Sequence, residues 1–283
     1  MWKWLRYRLL PYGLILLVIW LAFPLLENKI VFHPEFANPY PVPWDAIEAA
    51  GSELSEKVQN VYFESLDGTR LNGWYVAPAK GMPTAIYAHG NGGNMGSRTR
   101  MVYHFMTRGY GFLMFDYRGY GSSEGSPSEV GVYQDFEAAS HYVEQVHKIP
   151  ASQQIAVGES LGSAAVVDVA SRKSFRQVVL LSAFTSGEDF AIHNIFPVSL
   201  DFLTRQKFDS VSKINRITVP LVIVHGEDDA MMPMEMAETL YAKAGSKQKT
   251  LIKVKNAGHN DAFLMGADQV FAVIEKNELA LGR

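Results

Sequence analysis

The fold of this chain is decided by the stretch Ile155-Ala156-Val157-Gly158-Glu159-Ser160-Leu161-Gly162. Its first three residues are apolar and predict a buried strand, and a helical pattern begins directly after the serine. A serine at so tight a turn is held in strained backbone geometry. The residues two positions away on either side lie close to the adjoining strand and helix, where glycine leaves room. The pattern predicts a nucleophile elbow, which raises the Ser160 hydroxyl above the edge of a sheet.

Strand and helix patterns alternate along most of the chain, which predicts a mostly parallel central sheet flanked by helices, an α/β fold. A hairpin precedes them, with strands at 58–63 and 69–76 around the turn Asp67-Gly68. The predicted strands are Thr84–Ala88, Gly111–Phe115, Gln154–Val157, Gln177–Ser182, Leu221–Val224 and Thr250–Val254. The predicted helices are Ser97–Thr107, Pro127–His147 with Ser126 as N-cap, Leu161–Ser171, Met234–Ala244 and Asp261–Lys276.

Composition excludes several classes of function. The 283 residues are 48% apolar and 19% charged, enough for one large domain with a full core. The net charge is −3 and the body of the chain has no cluster of basic residues, which argues against nucleic-acid binding. The chain has no cysteine, so disulfides, a thiol nucleophile and thiolate metal sites are excluded.

The N-terminus has the pattern of a membrane anchor. Residues 9–26 form an 18-residue run without a charge, long enough for a helix of roughly 27 Å that spans a bilayer. Lys3, Arg6 and Arg8 precede the run and predict a cytoplasmic N-terminus, with the rest of the chain on the opposite side of the membrane. A cleaved signal peptide and a buried core helix are the alternatives, but no small-x-small cleavage site follows the run.

The pattern divides the chain into an anchor at residues 1–26, an extended connecting segment at 27–57 and a main domain at 58–283. The stretch from about 185 to 217 interrupts the alternation of strands and helices, and it is apolar and longer than a usual connection. It is either a small helical cap that shapes a substrate pocket or an ordinary crossover helix with a long loop.

A serine hydroxyl needs a base, and histidine has a suitable pKa. His259 is the best placed, because it lies in the loop after the last predicted strand and can reach the carboxyl edge of the sheet. The imidazole in turn needs a carboxylate to orient it. Glu227, Asp228 and Asp229 follow the strand that ends at 224 and provide three candidates, in the chain order serine, acid, histidine.

Acyl transfer through Ser160 also requires backbone N–H groups that stabilise an oxyanion. The amide of Leu161, directly after the serine, is one candidate. The other lies in the glycine-rich loop His89-Gly90-Asn91-Gly92-Gly93-Asn94, where we expect the amide of Asn91 to serve. This loop lacks the spacing and the Gly-Lys-Ser/Thr ending of phosphate-binding loops.

These motifs together give the chain a resemblance to the alpha/beta-hydrolase superfamily, and within it to membrane-anchored serine hydrolases. The resemblance runs from about Ile30 to Lys276. The motifs that carry it are Ile30-Val31-Phe32-His33-Pro34, His89-Gly90-Asn91, Asp116-Tyr117-Arg118-Gly119-Tyr120-Gly121-Ser122-Ser123, the elbow, His225-Gly226-x-x-Asp229-x-x-x-Pro233 and Gly258-His259.

The resemblance implies that Asp229 is the acid, with adjacent Asp228 as its competitor, and that Arg118 and Tyr120 support the loop beside the pocket. It also implies no cofactor and no metal. The expected activity is hydrolysis of an acyl ester, thioester or lipid acyl bond, with a small-molecule or lipid-like substrate. A peptidase and a non-catalytic, membrane-tethered binding module are the alternative functions. The sequence does not fix the substrate or the oligomeric state.

Overall fold

The computed structural model describes residues 57–195, 199 and 204–282, together with 18, 20, 22, 23, 27–29 and 31–35. Within that part of the chain, ten strands lie at β1 (His33–Pro34), β2 (Gln59–Glu64), β3 (Arg70–Val76), β4 (Thr84–Ala88), β5 (Gly92–Gly93), β6 (Gly111–Phe115), β7 (Gln154–Glu159), β8 (Gln177–Leu181), β9 (Leu221–Gly226) and β10 (Lys249–Val254). The α-helices are α1 (Thr99–Met106), α2 (Glu129–Val146), α3 (Leu161–Ala170), α4 (Gly187–Asn194), α5 (Met234–Lys243) and α6 (Ala262–Ala280).

Eight of these strands form the central sheet in the order β10-β9-β8-β7-β4-β6-β3-β2. The six from β10 to β6 run parallel, and the β2–β3 hairpin joins them antiparallel at one edge. This confirms the predicted mostly parallel sheet and the predicted hairpin. Because the carboxyl ends of parallel strands meet at one edge, the loops after β4, β7, β9 and β10 lie close together.

Helices cover both faces of the sheet. Helices α2, α3 and α5 pack on one face and α1 and α6 on the other, and each face has its own cluster of buried apolar side chains. The inner parallel strands β4, β6 and β8 are buried along their whole length and are mostly apolar, because helices cover both of their faces. This two-sided burial explains why the sequence shows continuous apolar runs here rather than alternation.

The start of α2 differs from the prediction. The N-cap is Ser128, whose hydroxyl accepts a hydrogen bond from the amide of Gly131, and the helix begins at Glu129. Ser126 with Pro127 at the first helical position was therefore wrong by two residues. Both Ser126 and Ser128 satisfy the sequence preference for an N-cap, and only the backbone geometry distinguishes them.

The N-terminal part of the chain is described only in pieces. In the described residues, no helix has the length and apolar character needed to cross a membrane. The predicted anchor at 9–26 lies mostly outside the described residues. Of the predicted connecting segment, Glu27–Lys29 and Val31 are helical rather than extended, whereas 36–56 lie outside the described part. Glu27 and Phe32 are buried, so residues 27–29 and 31–35 belong to the packed domain.

The insertion at about 185–217 contains α4 and a 3₁₀ turn at Ile214–Arg216; 196–198 and 200–203 lie outside the described residues. Residues 205–208, which lead from the insertion back toward the sheet and are called its returning leg here, are held by two carboxylates. Glu27 accepts hydrogen bonds from the amides of Arg205 and Gln206, and Glu129 accepts them from the amides of 207 and 208. The leg is thereby fixed between the N-terminal segment and the start of α2.

Candidate active site

Ser160 occupies the turn between β7 and α3, with φ +50° and ψ −116°. A Cβ atom on Gly158 would lie 2.5 Å from the carbonyl oxygen of Gly162, and one on Gly162 would overlap the carbonyl oxygen of Ala88. The Ser160 amide donates to the Leu181 carbonyl of the neighbouring strand at 2.9 Å. These contacts fix the strained turn and explain the need for both glycines.

The structure brings together three of the predicted site residues. The Nε2 atom of His259 lies 3.0 Å from the Oγ of Ser160, and its Nδ1 lies 2.8 Å from the Oδ2 of Asp229. Since a carboxylate can only accept, Nδ1 carries the proton and Nε2 is free to accept the proton of Ser160. The arrangement can therefore generate an activated serine oxygen.

The environment of Asp229 keeps its carboxylate charged. Burial opposes ionisation, but the hydrogen bond with His259 and that from the Met232 amide outweigh it, and the pKa of Asp229 lies below its ordinary value. The second oxygen, Oδ1, accepts from the amides of Met231 and Met232 at 3.0 and 2.8 Å. The side chain of Asp228 is exposed, so the competing position does not hold the histidine.

His225 is a second histidine beside the acid. It is fully buried, and its Nε2 lies 2.7 Å from the carbonyl of Met232 and 3.5 Å from Asp229. Burial lowers the pKa of His225 in spite of the Met232 carbonyl and the Asp229 charge, so the ring is neutral and donates to the carbonyl. It fixes the turn from Asp229 to Met232 that supplies the two amides.

The loop after β4 lies over the serine. An atom at the Cβ position of Gly90 would lie 3.5 Å from the Cβ of Ser160. Asn91, the candidate oxyanion residue, follows directly. Leu161 is the first residue of α3, where an amide has no partner within the helix. The structure thus places both candidate amides on chain segments that adjoin Ser160.

Two comparisons with known sequences bear on the family. The sequence model described as alpha/beta hydrolase fold matches residues 83–210, and the model described as serine aminopeptidase, S33, matches residues 202–262. The uncharacterized protein YfhR of Escherichia coli (strain K12) is 31% identical over 249 residues, which cover 85% of this chain and 82% of that protein. The uncharacterized protein Rv2307c of Mycobacterium tuberculosis is 30% identical over 243 residues, which cover 84% and 82%.

This chain belongs to the alpha/beta-hydrolase superfamily. Solved hydrolase structures share its fold. The Pyrococcus furiosus esterase Pf2001 superposes with a TM-score of 0.72 at 17% identity, over 87% of this chain and 97% of that one. An alpha-beta hydrolase from Vibrio vulnificus gives 0.69 at 21% identity, over 88% and 92%.

A cleft of about 460 Å³ opens beside His259 in this hydrolase. Its lining includes the start of α1, Glu159 and the N-terminal turn of α6. Arg98 lies 3.6 Å from Glu159, which also accepts a hydrogen bond from Tyr87. Sequence reasoning missed this trio. The sequence feature that could have indicated it is Glu159, a charged residue in the second position of the elbow, next to the serine.

Arg118 and Tyr120 have the supporting roles that the resemblance implied. The Arg118 guanidinium, nearly buried, binds Asp135, Asp67 and Ser65 and ties the loop after β6 to α2 and to the β2–β3 turn. The hydroxyl of Tyr120 donates to the Oδ1 of Asn91 at 2.8 Å. The contact between Tyr120 and Asn91 had not been predicted.

Proposed function

We propose that this hydrolase cleaves an acyl ester bond through Ser160, His259 and Asp229. The observation that carries the proposal is the continuous hydrogen-bonded series from Ser160 Oγ to His259 to Asp229, with the serine at a strained turn. A binding protein would gain nothing from a strained serine aligned with a base. The esterase activity in the name of the P. furiosus neighbour is consistent with this proposal.

In the proposed acylation step, Oγ of Ser160 attacks the acyl carbon while Nε2 of His259 takes its proton. Asp229 holds the ring in the correct tautomer and stabilises the imidazolium that forms. The amides of Leu161 and Asn91 donate hydrogen bonds to the oxyanion of the tetrahedral intermediate. His259 then returns the proton to the leaving oxygen, and the acyl group remains on Ser160.

The deacylation step repeats this chemistry with water. His259 takes a proton from a water molecule as the water attacks the acyl-enzyme. The second intermediate then collapses, and His259 returns the proton to the leaving Oγ of Ser160, which releases the acid and restores the serine. No metal or cofactor takes part in this scheme. A thioester differs only in its leaving atom and a lipid ester only in the length of its acyl chain, so both are compatible with the same steps.

A peptidase is the second candidate, since the serine aminopeptidase model matches residues 202–262. Purified protein offered p-nitrophenyl esters and aminoacyl p-nitroanilides separates the two. Hydrolysis of the esters with little release of nitroaniline supports the esterase. The opposite preference would favour the peptidase.

Covalent labelling by a fluorophosphonate probe tests the catalytic claim itself. Wild-type protein should be labelled, and the Ser160→Ala variant should not. Ser163→Ala is a matched control, since the hydroxyl of that buried serine in the first turn of α3 donates to the Ser160 carbonyl and lies outside the proposed proton path. Failure of the folded wild type to react would favour the binding module, and persistent labelling of Ser160→Ala would refute the role of Ser160 as the nucleophile.

We further propose a single-pass anchor at residues 9–26, with a cytoplasmic N-terminus and the hydrolase domain across the membrane. The charge-free apolar run after Lys3, Arg6 and Arg8 supports it. Tags at both ends, with protease added to sealed spheroplasts, test the orientation. Digestion of the C-terminal tag alone is expected. A protected C-terminus would contradict the orientation, and loss of the N-terminal tag from the mature protein would identify a cleaved signal.

An anchored enzyme with an apolar insertion beside the loop that carries Asp229, where Asn194 donates a hydrogen bond to the Met231 carbonyl, suits a lipid-like acyl substrate. Rates on p-nitrophenyl esters of increasing chain length would measure how long an acyl chain the pocket accepts. A maximum at long chains would support a lipid substrate, and a steady fall from acetate would support small esters.

A further inference from the structure

The peptide group between Gly90 and Asn91 has a fixed orientation. The Nδ1 atom of buried His89 lies 2.7 Å from the carbonyl oxygen of Gly90. Because the carbonyl can only accept, Nδ1 donates. In a trans peptide the N–H points opposite to the C=O, so the amide of Asn91 points away from the His89 ring. The His89 carbonyl is fixed as well, since it accepts from the Tyr117 hydroxyl at 2.7 Å.

The side chain of Asn91 is held by three hydrogen bonds. Its Nδ2 donates to the carbonyl of Val31, and its Oδ1 accepts from the amide of His33 at 3.1 Å and from the hydroxyl of Tyr120 at 2.8 Å. These partners come from two separate parts of the chain, the N-terminal segment and the loop after β6. An amide side chain with both ends occupied in this way cannot rotate without the loss of several hydrogen bonds.

The backbone around Asn91 is held by the same N-terminal segment. Strand β1 pairs with β5, which places His33 beside Gly92 and Pro34 beside Gly93. The amide of Glu35 donates to the carbonyl of Gly93 at 3.3 Å. The loop that carries the candidate oxyanion amide is thus restrained on its outer side by residues 31–35.

We propose that the Asn91 side chain and the Tyr120 hydroxyl are positioning groups that hold the Asn91 amide toward the oxyanion. This inference rests on the proposed hydrolase activity and extends it. The amide belongs to the backbone and survives any side-chain substitution, whereas its direction depends on the three contacts together with the hydrogen bond from His89 to the Gly90 carbonyl. An oxyanion donor acts through preorganisation, and misplacement by about 1 Å can cost about 100-fold in rate.

The test uses full-length protein in detergent with a short p-nitrophenyl ester and a trifluoromethyl ketone, whose adduct with Ser160 carries an oxyanion. Asn91→Ala keeps the amide and removes all three contacts. We expect its kcat to fall by about 10- to 100-fold with KM within about twofold, and its affinity for the ketone to fall by the same factor as kcat/KM. Tyr120→Phe should cause a smaller loss of about fivefold in the same two quantities.

The double variant separates a shared pathway from two independent effects. Because Tyr120 acts through Oδ1 of Asn91, Asn91→Ala/Tyr120→Phe should be no slower than Asn91→Ala alone. Ser140→Ala is the control, since it removes a buried 2.6 Å hydrogen bond to Gln154 at the start of β7, the end of the strand opposite Ser160. Its kcat and ketone affinity should equal those of the wild type even where its melting temperature falls.

Unchanged kcat and ketone affinity in both single variants, with an active wild type, would overturn the inference and leave the proposed function intact. A fall in kcat without a matching loss of ketone affinity, or a double variant whose losses multiply, would also overturn it. If Asn91→Ala does not fold, Tyr120→Phe decides alone. A wild type that neither reacts with fluorophosphonate nor cleaves the ester would refute the proposed function instead.

Discussion

The Nδ1 atom of His259 lies 2.8 Å from the Oδ2 of Asp229, and the other oxygen of that carboxylate is saturated by the amides of Met231 and Met232. With Oδ1 occupied by these two amides, Oδ2 is the oxygen that accepts the hydrogen bond from His259. Asp229→Asn should lower kcat by about 10⁴-fold, because the amide stabilises the wrong tautomer of the ring. Ester hydrolysis under saturating substrate measures this effect.

Asp228→Asn is the matched control for that substitution, since the two aspartates are adjacent and the side chain of Asp228 is exposed. Its kcat should stay within about threefold of the wild type, as expected for a surface change. A large loss in Asp228→Asn together with an active Asp229→Asn would transfer the role of the acid to the neighbouring position.

Stability should depend on pH through Asp229. Its pKa is lower in the folded protein than its ordinary value, so its contribution is present above that value and is lost as the pH falls through the folded pKa. The difference in unfolding free energy between wild type and Asp229→Asn should shift in favour of the variant as the pH falls below about 4. Urea unfolding from pH 7 to pH 3 measures it, and a flat difference would contradict it.

Arg118 binds two aspartates with different burial, which gives a matched pair of substitutions. Asp135 is fully buried and accepts from the backbone and guanidinium of Arg118 and from Ser65, so Asp135→Asn should destabilise by about 3 kcal/mol or more. The side chain of Asp67 is 44% exposed, and Asp67→Asn should cost less than about 1 kcal/mol. Urea unfolding measures the loss of unfolding free energy in the two variants. Equal losses would show that the burial of the aspartate does not determine how much its interaction with Arg118 stabilises the fold.

Glu27 should matter to the insertion rather than to the triad. It is 3% exposed and accepts from the amides of Arg205 and Gln206 at 2.8 to 3.0 Å. Glu27→Ala leaves these donors without an acceptor and should destabilise by about 1–3 kcal/mol. It should also change the chain-length preference on p-nitrophenyl esters, because we propose that the insertion helps to hold the acyl chain.

Glu64→Ala is the control for this substitution, because Glu64 is an exposed glutamate on the edge strand β2. It should stay within about 0.5 kcal/mol of the wild type and retain the same ester profile. Equal effects of the two variants would show that Glu27 does not hold the insertion in place.

Sequence patterns predicted the sheet and the serine turn because local chemistry determines both. The parallel strands are continuous apolar runs, and a tight strand-to-helix turn requires glycines at 158 and 162. The meeting of Ser160, Asp229 and His259 followed from topology, since each residue lies at or just after the carboxyl end of a parallel strand. These features need no knowledge of long-range packing.

The contacts of Glu27 and Asn91, which sequence reasoning missed, join residues far apart in the chain. Glu27 binds amides about 178 positions away, and Asn91 binds Val31, His33 and Tyr120. Val31, His33, Asn91 and Tyr120 lie in motifs that carry the family resemblance, but the motifs do not show that these residues bind one another. Glu27 lies beside a proline-rich segment, where polar side chains are typical of solvated linkers. Their function depends on where the folded chain places their partners, which no periodicity encodes.

The burial of Glu27 has a practical consequence for producing the protein without its apolar N-terminus. A domain boundary at residue 58 would remove β1, two of the three partners of Asn91 and the acceptor of the Arg205 and Gln206 amides. A truncation just before Glu27 removes residues 9–26 and keeps all of these contacts. The choice between these two start sites decides whether a water-soluble fragment reports on the intact enzyme or on a damaged one.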